Sequence, residues 1–345
     1  MTTSSYLPLA PPKVSVFMMA YNHAPYIAQA LDSALAQQTT FTVEIVIGED
    51  SSTDGTRNIV TDYVQRYPGR IRALLHETNL GASRNQVLVL EACTGEYIAL
   101  LEGDDFWTDP YKLQKQVDFL DEHLDYAISA HNVTIVGGDG QPTAAKTLYY
   151  AEAPFDTYTL EELAKSNVLP TASCIYRNYF TAGPAPTGVP KWLNQAKIGD
   201  FCLHMLAARF GKIKYFHEAM GAYRVHQNGV WSVQNEVMRN AVLFDTIQLM
   251  KHEFRGEARQ GLNEYQLHSL SEIANHGQSV PGFNLADMLL PRQNSVLTLI
   301  NEIYIPFMQV HFAQQQAVRS AEYRYGKQFL GPVRWVLAKA RNHRK

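Results

Sequence analysis

The chain has 345 residues, of which 46% are hydrophobic, so it is long enough for one large domain with a helical addition. Its formal net charge of -3 argues against nucleic acid as a partner, because nucleic-acid binding usually requires a net basic face. The three cysteines, Cys93, Cys174 and Cys202, contain no Cys-x-x-Cys pair, so they predict neither a disulfide framework nor a zinc site. We therefore expect a reducing, cytoplasmic environment.

The two ends of the chain differ in character. Residues 1–12 lack a basic region followed by an apolar core, which predicts a flexible arm and not a signal peptide. No run of 18 apolar residues occurs, so we expect no membrane-spanning segment. Residues 331–345 predict a basic amphipathic tail that either makes peripheral contact with the inner face of an anionic membrane or packs on the protein's own body.

Residues 13–136 alternate short apolar runs with segments of helical period, which predicts an α/β domain with a largely parallel sheet. The expected strands are Val14–Ala20, Thr42–Gly48, Ile71–Leu75, Tyr97–Leu101 and Tyr126–Val136. The expected helices begin at Pro25, after Gly55, at Ser83 as the cap, and after Asp109 and Pro110. Beyond these, the pattern predicts a loop-rich stretch at 137–170, a strand at Ala172–Tyr176, a helix at Asp200–Phe210, and helices from Glu236 onward.

Acidic residues follow two of the predicted strands. Asp50 follows the second strand, and Asp104 and Asp105 follow the fourth. Ligands of open parallel sheets bind beyond the carboxyl ends of the strands, so these carboxylates are expected in a binding site. The turn after the first strand, Ala20-Tyr21-Asn22-His23, lacks the glycines of a dinucleotide fingerprint, and no phosphate-binding P-loop occurs. The sequence therefore favours neither a dehydrogenase nor a P-loop enzyme.

Four short segments occur in a characteristic order: Ala20-Tyr21-Asn22, Glu49-Asp50-Ser51-Ser52-Thr53-Asp54-Gly55-Thr56, Asn79-Leu80-Gly81 and Glu102-Gly103-Asp104-Asp105. In this combination the chain resembles the family 2 glycosyltransferases of bacterial surface-polysaccharide synthesis. Glu49 departs from the family pattern, which usually has an aspartate there. The resemblance implies a Rossmann-like GT-A domain over residues 13–235, followed by a helical region at 236–330. It also implies inverting transfer of a sugar from a nucleoside diphosphate sugar, with UDP as the expected nucleotide, to an acceptor hydroxyl.

The departing diphosphate gains negative charge, which a divalent ion has to offset, and carboxylates suit Mn²⁺ or Mg²⁺. By the resemblance, Asp105 binds this metal, Asp104 binds the ribose or the water shell of the metal, and Asp50 accepts a hydrogen bond from the base. The alternative is that Asp104 and Asp105 cap a helix, but Asp109 is the more natural cap.

Asp200 is the candidate general base, because it lies in a segment that resembles the acid-bearing helix start below the family's acceptor cleft; a plain helix cap is the alternative. Arg224 and His226 resemble the family segment that closes over the diphosphate. Arg224 would bind phosphate oxygens, whereas His226 would bind the metal or phosphate, or be purely structural. The remaining candidates for nucleotide-sugar binding are Ala20, Tyr21, Asn22 and Arg84.

Two of these candidates have structural alternatives, since Tyr21 could be a core aromatic residue and Arg84 a surface ion pair. Two other functions also remain open. One is a non-catalytic partner protein that binds a nucleotide sugar, and the other is a sugar-phosphate nucleotidyltransferase, although the first turn lacks the glycine-rich basic loop of such enzymes. The acceptor is expected to be a glycan or a polyprenyl-linked sugar, and the 236–330 helices could form a homodimer interface.

Overall fold

The computed structural model describes residues 11–143, 148–151, 155–182, 187–227, 229, 234–276, 290–292, 294–296, 298–299 and 302. The chain divides into two compact units, residues 1–233 and 234–345. The first ten residues of the predicted arm and the whole basic tail at 331–345 lie outside the described residues, as does most of 277–330.

The first unit is built on one mixed β-sheet, in which the described residues form nine strands. These are β1 (Val14–Ala20), β2 (Val43–Glu49), β3 (Ile71–Leu75), β4 (Tyr97–Leu100), β5 (Phe106–Trp107), β6 (Tyr126–Val136), β7 (Thr157–Tyr158), β8 (Ile175–Arg177) and β9 (Lys212–Arg224). Their order is β3-β2-β1-β4-β8-β6-β9-β5, and β7 pairs with β9. The first four strands pair in parallel, as predicted, while β8 runs antiparallel to both β4 and β6.

The helices of the first unit are α1 (Ile27–Leu35), α2 (Thr56–Arg66), α3 (Ala82–Ala92), α4 (Lys112–Glu122), α5 (Leu160–Leu163) and α6 (Gly199–Ala208). The second unit contains α7 (Glu236–Met250) and α8 (Gly256–His276), within the residues that are described there. All of β2 and β4 and all but one residue of β1 are buried. The largely apolar sequences of these strands reflect helices packed on both faces of the sheet.

Three predicted helix starts were wrong by one or two residues. Helix α1 begins at Ile27, because residues 24–26 form a turn ahead of it. Helix α3 begins at Ala82 after Gly81, so Ser83 is not its cap; the Ser83 hydroxyl instead donates to the carbonyl oxygen of Ala196 at 2.8 Å. Asp109 lies three residues ahead of α4, where its carboxylate accepts from the backbone N–H of Tyr111.

The largest difference from the predicted elements is β9, a strand of 13 residues that the sequence pattern did not indicate. It runs parallel to β6, with register shifts around His131, Asn132 and Val133. Such irregularities interrupt the alternation of buried and exposed residues on which strand prediction depends. Tyr223 and Arg224, predicted to belong to a flexible closing segment, are the last two residues of this strand.

A lysine is buried inside the first unit. Lys112 is 0% exposed, its Nζ lies 4.0 Å from the centre of a Trp107 ring, and this atom has no hydrogen-bond partner within the described residues. Burial lowers the pKa of Lys112 well below its ordinary value, because the charged form is poorly solvated there.

The three cysteines are free thiols with fully or almost fully buried side chains. Burial raises the pKa of Cys174 to about 12 and also raises the pKa of Cys93 and Cys202. Among the described residues, no helix is both long enough and apolar enough to cross a bilayer.

Candidate active site

The loops that follow β1 and β2 are joined by hydrogen bonds. The side-chain oxygen of Asn22 accepts from the backbone N–H of Thr53, and the backbone N–H of Asn22 donates to the hydroxyl of Ser52, both at 2.9 Å. Asn22 and Ser51 also have positive φ angles of 55° and 60°, which non-glycine residues rarely adopt. Strained backbone of this kind persists where surrounding contacts fix it, often at binding sites. These two loops therefore form a fixed wall at the carboxyl end of the sheet.

Asp50 lies in this wall and ties β2 to the loop ahead of α3. Its two carboxylate oxygens accept from the backbone N–H groups of Leu80 and Gly81, at 2.7 and 2.9 Å. The neighbouring Glu49 is fully buried and pairs with Arg57 at 2.6 Å. Asp50 is thus held in position by backbone donors, and Glu49 serves the structure of the loop.

The acidic residues after β4 form a cluster. Glu102, Asp104 and Asp105 each offer one oxygen, and these oxygens lie within 4.8 Å of one another. Burial and the charges of Asp104 and Asp200 raise the pKa of Glu102 to about 8. Burial and the charges of Asp104 and Glu102 raise the pKa of Asp105 well above its ordinary value. Such shifts arise when like charges are held together away from water.

The chemistry of this cluster fits a divalent cation. Asp105 is 1% exposed; its Oδ1 accepts from the backbone N–H of Arg224 at 2.8 Å, while its buried Oδ2 has no hydrogen-bond partner in the described part of the chain. A buried carboxylate oxygen without a partner is costly unless a ligand satisfies it. Several hard oxygens around such an atom are the donors that Mn²⁺ and Mg²⁺ prefer. Asp104 and Asp105 cap no helix, since α4 begins at Lys112.

Two histidines border the cluster. His226 Nε2 lies 3.0 Å from Asp104 Oδ2, and His23 Nε2 lies 3.7 Å from the same oxygen. Burial opposes ionisation of Asp104, but the hydrogen bond from His226 and the charges of both histidines outweigh it and lower the pKa of Asp104. Gly103 allows this close approach, because a Cβ there would lie 2.8 Å from His23 Nδ1 and 2.9 Å from the carbonyl oxygen of Met19. His226 therefore hydrogen-bonds to one carboxylate of the acidic cluster, and its role as a ligand of metal or phosphate stays a prediction.

The guanidinium of Arg224 is engaged by protein oxygens. Its Nε donates to the carbonyl oxygen of Asp104 at 2.8 Å, and its Nη1 donates to the carbonyl oxygens of Gly137 and Gly138 at 3.2 and 3.1 Å. Its Nη2 donates to Gln29 at 2.7 Å, and the residue is only 4% exposed. This arrangement argues against the predicted fork for phosphate oxygens. Arg224 instead links three parts of the chain, which are the segment that contains Asp104 and Asp105, the turn after β6, and helix α1.

Asp200 is the second residue of α6. Its Oδ2 accepts from the hydroxyl of Thr171 at 2.7 Å, and its Oδ1 accepts from the backbone N–H of Phe201 at 2.7 Å. It is not the helix cap, since Ile198 precedes the helix. Thr171 lies three residues ahead of Cys174, whose carbonyl oxygen accepts from the backbone N–H of Leu100 at the end of β4, so Asp200 is linked to the end of the sheet that carries the acidic cluster.

The three remaining candidates for nucleotide-sugar binding differ in their exposure and contacts. Ala20 is buried at the end of β1, where its carbonyl oxygen accepts from the backbone N–H of Asp50. Tyr21 is 45% exposed, so it is not a core aromatic residue. Arg84 is exposed and donates to Asn194 at 3.1 Å, so it makes a polar surface contact in place of the suggested ion pair.

Three residues of the site were missed in the sequence. Glu102 joins the acidic cluster, His23 lies beside Asp104, and Thr171 donates to Asp200. Glu102 belongs to one of the short segments that carry the family resemblance and His23 directly follows another, so their position was a usable signal. Thr171 had no local signal, because its contact is made across 29 residues of chain.

Comparison with known proteins is consistent with this geometry. The family described as Glycosyl transferase family 2 matches residues 15–180. An uncharacterized protein of Mycobacterium tuberculosis is 37% identical over 219 residues, which cover 63% of this chain and 60% of that protein. An uncharacterized glycosyltransferase of Nostoc is 32% identical over 62% of this chain and 65% of its own length. A putative teichuronic acid biosynthesis glycosyltransferase of Bacillus subtilis, TuaG, is 35% identical over 41% of this chain and 57% of its own length.

The chain thus spans about 60% of the length of the curated relatives first matched. Two solved structures share the fold. TarS of S. aureus, in complex with UDP-GlcNAc, has a TM-score of 0.56 and 21% identity over 80% of this chain and 79% of TarS. The mannosyltransferase PcManGT of Pyrobaculum calidifontis, in complex with GDP-Man and Mn²⁺, has a TM-score of 0.52 and 15% identity over 85% of this chain and 83% of its own. Residues 15–180 therefore form a domain of glycosyl transferase family 2, and the chain shares the GT-A fold of these solved structures.

Proposed function

We propose that this protein transfers a sugar from a nucleoside diphosphate sugar to an acceptor hydroxyl, with inversion at the anomeric carbon. The observation that carries the proposal is the buried Oδ2 of Asp105, for which the described residues offer no hydrogen-bond partner, inside an acidic cluster at the end of the sheet to which Asp200 is linked through Thr171. Together they supply what the reaction needs: a place for a cation beside the leaving group and a carboxylate for the incoming hydroxyl.

Asp105, with Glu102 and Asp104, would hold Mn²⁺ or Mg²⁺. A bound divalent ion would offset the charge that develops on the departing diphosphate. The hydrogen bond between His226 and Asp104 orients that carboxylate. Arg224 keeps Asp105 in place through its backbone N–H, and it keeps the motif in place through its guanidinium.

Asp200 takes the role of general base. Its carboxylate accepts the proton of the acceptor hydroxyl, whose oxygen forms a bond to the anomeric carbon while the bond from that carbon to the diphosphate oxygen breaks. The nucleoside diphosphate leaves with the electron pair of the broken bond. The hydroxyl of Thr171 and the backbone N–H of Phe201 fix the carboxylate, and each oxygen keeps a lone pair for the proton.

UDP is the nucleotide that we propose. Each carboxylate oxygen of Asp50 accepts one backbone N–H and retains a second lone pair, which can accept the imide N–H of uracil. The exposed ring of Tyr21, in the loop that directly follows β1, can pack against the base. The complex of TarS with UDP-GlcNAc, a protein of similar fold, supports the same choice.

For the acceptor we propose a glycan or a polyprenyl-linked sugar of a cell-surface polysaccharide. The putative role of TuaG in teichuronic acid biosynthesis supports this class of acceptor. An acceptor on a lipid would also give the basic tail at 331–345 a purpose at the cytoplasmic membrane surface, and residues 236–330 could pair two copies of the chain. Arg84, exposed at the start of α3, stays a candidate for phosphate binding.

The first experiment is a thermal-shift panel with UDP, GDP, dTDP and CMP, each with and without Mn²⁺. A ligand at 100 times its dissociation constant stabilises the protein by about 2.7 kcal/mol. We expect a metal-dependent shift with UDP that Asp105→Ala abolishes. UDP release from UDP-sugars, followed by NMR of the anomeric configuration of the product, then tests transfer and inversion. A protein that binds UDP but never releases it from a UDP-sugar would be a non-catalytic relative.

A further inference from the structure

Two residues from distant parts of the chain fit each other beside the general base. Gln86 lies on α3 and is 3% exposed. A Cβ built on Gly199, the first residue of α6, would lie 1.5 Å from Gln86 Oε1 and 2.5 Å from its Cδ. Gly199 does not have a left-handed φ angle, so the side chain of Gln86, and not the backbone conformation, requires glycine there.

The contact is held in place from both sides. The hydroxyl of Ser83 donates to the carbonyl oxygen of Ala196 at 2.8 Å, and Arg84 donates to Asn194 at 3.1 Å. These bonds join the first turn of α3 to the segment that leads into α6. The amide of Gln86 therefore has a fixed position next to the residue that precedes Asp200.

The amide nitrogen of Gln86 differs from that of its neighbour Asn85 in its hydrogen bonding. Its Nε2 is buried and has no hydrogen-bond partner among the described residues, whereas the neighbouring Asn85 donates its own amide N–H to the carbonyl oxygen of Gly48 at 2.9 Å. A buried amide donor without a partner lowers stability. An apolar side chain of similar length would fill the same space without that cost. The donor of Gln86 is therefore available to a ligand.

We propose that Gln86 determines sugar specificity: its Nε2–H donates to an oxygen of the sugar held beside Asp200. This inference rests on the proposed function, since it assumes that a sugar occupies that end of the site. A hydroxyl or acetamido oxygen is the acceptor that an amide N–H recognises. Such an oxygen belongs either to the transferred sugar or to the acceptor, and these two sources differ in the kinetic constant that they affect.

The test uses Gln86→Met, which keeps the length of the side chain but removes the donor. We expect its thermal unfolding temperature to be unchanged or higher, and its shift with UDP and Mn²⁺ to be unchanged. We expect kcat/KM for UDP release to fall about 10-fold, as for the loss of one hydrogen bond to substrate. The rates for UDP-glucose, UDP-galactose and UDP-GlcNAc are also expected to change relative to one another.

A fall in donor hydrolysis without acceptor would assign the bond to the transferred sugar, and a rise in KM for the acceptor alone would assign it to the acceptor. The pair Gly199→Ala and Gly199→Ala with Gln86→Ala supplies the control. The single change collides with Gln86 and is expected to lower stability, whereas the double variant makes room for the added methyl group and restores it.

If Gln86 only fills space, the double variant also recovers activity, and Gln86→Met keeps both its rate and its relative rates; either result overturns the inference. If wild-type protein shows no shift with UDP and Mn²⁺ and no UDP release, the proposed function fails. If instead the wild-type enzyme is active and the Gln86→Met variant is equally active, only the inference about Gln86 fails.

Discussion

Replacement of Asp105 by Asn is expected to stabilise the metal-free protein while it abolishes metal binding. Three carboxylates lie with oxygens within 4.8 Å of one another, and at an effective dielectric constant of about 20 each fully charged pair repels by about 3 kcal/mol. Burial and this repulsion together raise the pKa of Asp105. We therefore expect a gain of about 1 to 3 kcal/mol in the free energy of unfolding at pH 8.

The substitution is suited to this question because it preserves the local contacts. The Asn oxygen can still accept from the backbone N–H of Arg224, and the Asn amide takes the place of the unpartnered Oδ2. In thermal unfolding with EDTA, a gain of 1 kcal/mol corresponds to a rise of about 2 to 4 °C for a domain of this size. With UDP and Mn²⁺ the lead of the variant should shrink by about 2.7 kcal/mol, because only wild-type protein gains this free energy from the ligand at 100 times its dissociation constant.

Asp62→Asn is the matched control, because it removes the same charge from an exposed ion pair with Arg66 on α2. Its unfolding temperature should stay close to that of wild type under both conditions. The reasoning would be refuted by an Asp105→Asn variant that unfolds at a lower temperature in EDTA, or by one that keeps a Mn²⁺-dependent shift with UDP.

Three further predictions concern Asp200, Lys112 and Arg224. Asp200→Asn should lower the rate of sugar transfer by ~10²- to 10⁴-fold while the shift with UDP and Mn²⁺ persists, since Asn can still accept from Thr171 but cannot take a proton; near-normal turnover would remove Asp200 as the base. The stability of wild type should rise with pH at up to about 1.4 kcal/mol per unit below pH 10.5, because the lowered pKa of Lys112 means that the unfolded state binds more protons. Lys112→Met should be more stable than wild type at pH 7, and its free energy of unfolding should no longer rise with pH through this group, as measured by urea unfolding at several pH values. A variant whose free energy of unfolding depends on pH as steeply as that of wild type would contradict this prediction. Arg224→Lys should lower the unfolding temperature in the absence of ligand, because a lysine cannot bridge Asp104, Gly137 and Gln29 together. Unchanged stability with weaker UDP binding would instead restore Arg224 as a phosphate ligand.

The parallel part of the fold could be predicted because its signals are local. Val14–Ala20 and Ile71–Leu75 are apolar runs bounded by polar turns, and both strands have the predicted bounds. In β9 the pattern fails, because its partner β6 is some 86 residues earlier in the chain and the register between them is irregular. Long-range pairing of this kind overrides local preference.

The candidate site likewise has one part that could be predicted from the sequence and one part that could not. The acidic motif could be predicted because Asp104 and Asp105 follow a predicted strand at the edge of the sheet where ligands bind, and because they occur in combination with the other short segments. The structural role of Arg224 could not be predicted from the sequence, because its partners Gln29 and Gly137 come from two other parts of the chain. An arginine near a phosphate site looks the same in the sequence whether it binds the ligand or hydrogen-bonds to the protein itself. Only its contacts in the structure distinguish these two roles.

The buried cysteines make the thiols a probe of opening. Cys93, Cys174 and Cys202 are inaccessible and have raised pKa values, so a thiol reagent can modify them only after the surrounding structure opens. All three precede residue 234, so the labelling rate of the unaltered chain reports on the first unit alone. Mass spectrometry of the unaltered protein can therefore show, cysteine by cysteine, whether nucleotide and metal slow the opening of the first unit.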